Sequence, residues 1–256
     1  MTDELPLLGF GLPVAGSWAT PSTLRRVARR AEELGYASLW TFQRVLHPVD
    51  AELDPAHRAV LDPVVALAQA AAHTERIGLG TATVCAPFTA PALLAKAMTS
   101  LDVLSGGRLT VGLGSGWLPQ EYAAAGVPFE RRGARMEEYL RCLQALWTES
   151  PVEFAGEFYT VPRSHVGPPP VQRPHPPILL GGTARRRCGV PVGSHKAGSL
   201  AAGTTAPGSA RTSPRCATAP ATRAATRGPC ASSCASSREG RARTCSTTSR
   251  RCGEWV

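Results

Sequence analysis

Residues 101–117 read Leu101-Asp102-Val103-Leu104-Ser105-Gly106-Gly107-Arg108-Leu109-Thr110-Val111-Gly112-Leu113-Gly114-Ser115-Gly116-Trp117. The stretch joins the end of one regular element to the start of another. Upstream, Leu93, Leu94, Ala97, Leu101 and Leu104 repeat at helical spacing from a start near Pro91. Gly106-Gly107 stops that helix, because only glycine enters the left-handed region at little cost. Arg108–Leu113 then reads as a short apolar strand, and a glycine-rich loop follows.

The same rhythm extends in both directions. Leu7–Leu12 reads as a first strand, and Thr20-Pro21 as a helix start with a capping hydroxyl and proline at the first helical position. Gly35 ends that helix, and Ala37–Phe42 is a second strand. Asp62-Pro63 opens a helix running to about Thr74, and Ile77–Val84 is a third strand. Beyond the glycine loop, a helix is expected over roughly Arg131–Trp147, a hairpin over Val152–Val161 turning at Ala155-Gly156, and a fifth strand at Ile178–Leu180. Alternating strands and helices predict a parallel α/β sheet, apolar on both faces. The two candidate architectures are the first five units of a (β/α)8 TIM-type barrel and an open Rossmann-like sheet.

Charge divides the chain at residue 184. Residues 1–184 hold 15 Lys/Arg and 17 Asp/Glu, whereas residues 185–256 hold 13 and 2, so the net +9 comes wholly from the C-terminal part. That part has only 4 Leu, Ile, Val or Phe in 72 residues, and six of the eight cysteines. Such a composition cannot build a packed core. Specific nucleic-acid binding is not expected, since interleaved aromatics are missing apart from Trp255. The N-terminus lacks a secretory pattern and no apolar run is long enough to span a bilayer, which makes the cytoplasm the expected compartment. The six histidines show no pairing at metal-ligand spacing.

The stretch at 101–117 closely resembles the luciferase-like monooxygenase superfamily, and within it the branch that uses the deazaflavin coenzyme F-420. Ala31–Tyr36 with Ser38-Leu39-Trp40, Glu75–Thr81, Phe154–Tyr159 and Pro176–Gly182 agree with it. The resemblance covers about residues 5–184 and implies a (β/α)8 barrel with coenzyme F-420, or alternatively FMN, lying across the C-terminal strand ends. It also implies a small-molecule substrate, a homo-oligomer in intact relatives, and a bulge with a non-prolyl cis peptide at Ala82–Thr83. Gln43, Thr81, Ala82, Thr83, Gly114, Gly181, Gly182 and Thr183 are then the expected cofactor contacts. From the residues alone, Thr81–Thr83 can equally be an ordinary strand end, and the glycines plain turns.

Relatives often carry an Asp-His pair after the second strand, where this chain has Gln43-Arg44. Arginine holds an anion but does not deprotonate near neutral pH. His47 and Glu121 are therefore the substitute candidates for proton transfer, each of which can also be a plain loop residue.

Residues 185–256 are expected to be a low-complexity, disordered tail. Back-translated with GC-rich codons, Arg185–Ser199 can be read in another frame as an amphipathic helix and a Gly-Trp strand start. A frameshift near codon 184 would account for this. It would leave the first and fifth strands as open edges and a chain prone to aggregate, possessing no cofactor site of its own in the extreme case.

Overall fold

The computed structural model describes residues 7–181. Its larger sheet is built from β1 (Gly9–Gly11), β2 (Ser38–Thr41), β3 (Gly78–Thr81), β4 (Val84–Cys85), β5 (Leu109–Gly114) and β8 (Ile178–Leu180). The helices between them are α1 (Pro21–Glu33), α2 (Pro63–Ala71), α3 (Pro91–Leu104), α4 (Pro119–Ala124) and α5 (Arg132–Thr148), and β6 (Val152–Ala155) pairs with β7 (Thr160–Ser164) as an antiparallel hairpin.

Neighbouring parallel strands follow chain order, β1 beside β2, β3, β5 and then β8. An open Rossmann-like sheet reverses its strand order at a switch point. No reversal occurs among the described residues, so the sheet is the wall of a TIM-type barrel, and the open-sheet alternative fails.

Local chemistry sets the helix starts. Thr20 Oγ1 accepts the Thr23 N–H at 3.2 Å, and Asp62 Oδ1 accepts those of Val64 and Val65, both at 2.9 Å. Pro21, Pro63 and Pro91 stand at first helical positions. Gly35, Gly106 and Gly107 have φ of 78°, 68° and 81°, as helix stops require. Two helices differ from expectation. α4 begins at Pro119, where the sequence was read as loop, and α5 starts one residue late because Arg131 caps it in the left-handed region at φ 55°.

Register separates the sheet's two faces. Phe10, Leu39, Leu79 and Leu109 lie in line on one face, continued by Val111, Leu113 and Ile178. All but Phe10 are buried in one core with Leu24, Leu67, Met98, Leu101 and Leu143 from the helices. The opposite face carries Gly9, Ser38, Trp40, Gly78, Gly80, Thr110 and Gly112. It is not apolar throughout, as had been expected. Trp40 spreads across it, and a Cβ at Gly9 or Gly80 would come within 2.4 Å or 2.3 Å of the indole.

Where the strands begin, polar side chains tie the elements together. Glu32 accepts the N–H groups of Glu75, Arg76 and Ile77. Arg108 donates to the carbonyls of Ala71, Thr74, Ile77 and Ser105. Buried Asp102 accepts the N–H groups of Val171 and Gln172 and the Gln172 amide. The basic segment 185–256, and with it the frameshift reading, lies outside the described residues.

Candidate active site at the strand ends

At the other end of the sheet the third strand is interrupted. Gly80 faces Thr110 and Val84 faces Leu113, so four steps along one strand meet three along β5, which is a bulge. The Ala82–Thr83 peptide inside it is cis, as the resemblance implied. Thr81 anchors the bulge. Its hydroxyl donates to the Gly112 carbonyl and accepts the Gly112 N–H, both at 2.8 Å. A Cβ at Gly112 would fall 1.7 Å from the Thr81 carbonyl oxygen, so only glycine fits.

Thr83 is clasped in the same way. A Cβ at Gly114 would stand 2.8 Å from its Oγ1, and one at Gly181 2.8 Å from its methyl. The strand-end glycines make room for this chain's own bulge. Gln43 completes the arrangement, donating its N–H to the Thr83 carbonyl at 3.3 Å and accepting the Cys85 N–H at 2.8 Å.

Beyond the bulge lies a cleft of about 80 Å³ lined by Gln43, Arg44, Thr83, Cys85, Phe88, Gly116, Trp117 and Glu121. Glu121, brought in by α4, is buried. Its Oε2 accepts Arg44 Nη1 at 3.0 Å and its Oε1 the Val45 N–H at 2.7 Å. The Arg44 guanidinium lies 5.3 Å from the Trp117 ring centre, and its Nε is buried without a partner. Burial, and then the Glu121 charge, push the Cys85 thiol up to about 12, so it is neutral at physiological pH. Burial likewise pushes Tyr122 up to about 12, and its hydroxyl donates to the Ser115 carbonyl.

The structure thus brings Gln43, Thr83 and Glu121 together in the cleft. Ala82, half-buried, precedes Thr83 in the bulge, whereas Thr81 and Gly114 are buried behind it. His47 is not among the lining residues. Its Nδ1 lies 3.1 Å from the Pro48 carbonyl and its Nε2 is buried without a partner. Gly182 and Thr183 lie outside the described residues. Cys85, Phe88 and Trp117 had not been expected in the site, and Trp117 is 59% exposed. Among the described residues no cluster of metal-ligating side chains occurs, and no helix is long and apolar enough to cross a membrane.

The sequence profile of luciferase-like monooxygenases matches residues 8–236, running past residue 184, where the resemblance read from the motifs ends. An uncharacterized Mycobacterium tuberculosis protein is 39% identical over 165 residues, which cover 60% of this chain and 58% of that one. An FMNH(2)-dependent dimethylsulfone monooxygenase of Pseudomonas putida is 34% identical over 63% of this chain and 43% of its own length. The chain thus spans 58% of the first and 43% of the second of these curated relatives. Among solved structures, the monooxygenase RslO1 of Streptomyces bottropensis is similar with a TM-score of 0.60 and 33% identity, over 68% of this chain and 53% of that one. An F420-dependent secondary alcohol dehydrogenase has a TM-score of 0.58 at 22% identity, over 68% and 52%, a likeness of fold. With nearly the whole barrel wall inside the profile match, the chain belongs to the luciferase-like monooxygenase family.

Proposed function

We propose that this chain is an oxidoreductase that seats the ring of coenzyme F-420 against the Ala82–Thr83 bulge and moves a hydride between it and a small organic substrate in the adjoining cleft. The bulge is the observation that carries the reading. Ala82 and Thr83 are half-exposed while Thr81 and Val84 on either side are buried, so the chain offers a short platform held from behind by glycines. Gly11, at the end of β1, also has open space where a side chain would stand. These features fit a flat ring system. Ligand sites typically enclose about 300–1,000 Å³, so the 80 Å³ cleft is one wall of the site.

The coenzyme supplies the hydride chemistry when bound. Gln43 and Thr81 hold the platform, and Thr83 faces the cleft. Glu121 is poorly placed to exchange a proton, because both its oxygens already accept hydrogen bonds. His47 is better suited. With Nδ1 donating to the Pro48 carbonyl, its Nε2 carries the free lone pair.

A second reading, an FMN-dependent monooxygenase, is favoured by the 33–34% identical relatives that are themselves monooxygenases. Fluorescence titration of the 256-residue chain with F-420 and with FMN separates the two. Saturable binding tighter for F-420, followed by loss of the oxidised coenzyme's fluorescence as an oxidisable substrate passes its hydride to it, is the expected result. Preference for FMN supports the monooxygenase, and no binding of either leaves a non-catalytic remnant. For residues 185–256 we further propose the frame change near codon 184. An uninterrupted frame in the gene, with no family-like continuation in the other two, refutes it.

A further inference from the structure

The Arg44–Glu121 pair has a feature that neither the fold nor the coenzyme platform uses. Both side chains are nearly enclosed, at 11% and 8% exposure. A guanidinium offers five N–H donors in one plane. Here Nη1 serves Glu121, while Nε–H is buried with no partner among the described residues. A buried donor left unsatisfied is costly, and more so on a charged group. Glu121 is itself held in place from its other oxygen by the Val45 N–H.

No other residue lining the cleft carries a negative charge. Gln43, Thr83, Phe88, Gly116 and Trp117 are uncharged, and Cys85 stays a thiol. The Trp117 ring beside Arg44 supplies a flat apolar floor. The cleft offers about 80 Å³ beside the guanidinium, room for a small head group.

The geometry points to Arg44 as a specificity-determining residue that selects a small organic substrate bearing an oxyanion head group, a carboxylate or a sulfonate. Arginine's planar fork matches such groups, and charge-assisted hydrogen bonds are roughly twice as strong as neutral ones. The inference rests on the reading of this cleft as the substrate side of the coenzyme platform.

Ligand-observed NMR titration of the 256-residue chain with propionate, propanesulfonate, propionamide and inorganic phosphate tests it. Both organic anions bind about tenfold or more tightly than the neutral amide, and Arg44→Gln abolishes that difference. Glu121→Gln keeps an acceptor for Val45 but removes the competing charge, and it tightens anion binding several-fold. Opposite effects of the two variants exclude simple misfolding. Equal binding of acid and amide, or weakening by both variants, overturns the inference. So does an Arg44→Gln loss for FMN that riboflavin does not share, since Arg44 would then hold the coenzyme's phosphate. Anion discrimination without any coenzyme binding supports this inference while ending the coenzyme reading; coenzyme binding without discrimination does the reverse.

Discussion

The two ends of the barrel wall handle buried polar groups in opposite ways. Where strands begin, Glu32, Asp102 and Arg108 spend their hydrogen bonds on backbone from other elements. Where strands finish, Arg44 and His47 each keep a buried nitrogen with no partner. Buried polar atoms in folded proteins are nearly always paired, and exceptions call for an explanation. One rim is closed by the chain itself, and the other is the rim that the proposed coenzyme and substrate would complete. This is the division of labour expected of a barrel whose chemistry sits on the C-terminal strand ends.

The bulge between the rims is the most sensitive point. Gly112→Ala forces a Cβ to 1.7 Å from the Thr81 carbonyl oxygen, a backbone atom that moves only if the bulge moves. We expect a loss of about 4 kcal/mol or more, seen as a fall in the urea midpoint. Gly11→Ala is the control. It meets nothing within 4 Å, so its midpoint stays within about 0.5 kcal/mol of the parent. An intact midpoint for Gly112→Ala would remove the bulge as a rigid platform.

The entry rim comes next. Asp102→Ala orphans the Val171 and Gln172 N–H groups and the Gln172 amide, all within 3.1 Å of the carboxylate. At about 1–3 kcal/mol for an unsatisfied buried group, and with the Gln172 amide free to turn, a loss of about 3 kcal/mol is expected. A loss below about 1 kcal/mol would show that this rim is ornamental and blunt the contrast.

Acid probes such backbone-bonded carboxylates more gently. Burial pushes the Glu32 carboxyl up, but backbone bonds from Ile77, Arg76 and Glu75 outweigh it and hold the group below the usual carboxylate range. Glu138 behaves alike. Burial raises it, and the N–H groups of Phe158, Tyr159 and Glu157 bring it down. A folded-state value below the unfolded one stabilises the protein above the unfolded value, about 4.3. That contribution fades as pH falls through the lowered folded value. Urea midpoints should therefore drop between about pH 5 and pH 3, and the Glu32→Gln, Glu138→Gln double variant should flatten that limb.

What the sequence disclosed follows the range of the interactions involved. Helix starts at Thr20-Pro21 and Asp62-Pro63 rest on contacts within three residues, and they were legible directly. The bulge at Ala82–Thr83 was legible only through resemblance, because its supports, Gly112, Gly114 and Gly181, lie about thirty to a hundred residues away. α4 was missed for two reasons. Six residues carry too little periodicity to show, and Pro119, which suits a first helical turn, follows so closely on the glycine-rich loop that the start is masked. Glu121 was legible as a candidate residue, but its hydrogen bonds were not, since the groups that occupy its oxygens stand 76 and 77 positions away. Nothing near Trp117 in the sequence distinguishes an exposed indole over a guanidinium from a packed one.

The smallest effect belongs to the exit rim, and it separates function from stability most cleanly. Replacing a buried ion pair by groups of similar shape is often neutral, because the charges no longer have to leave water. In Arg44→Met, Glu121→Gln the methionine fills the arginine stem's place over Trp117, and the glutamine still accepts the Val45 N–H at the position Oε1 occupied. We expect a urea midpoint within about 1 kcal/mol of the parent, together with loss of the preference for carboxylate over amide. A large destabilisation would mean that the pair holds the fold together as Asp102 does, and the difference between the two rims would then be one of degree.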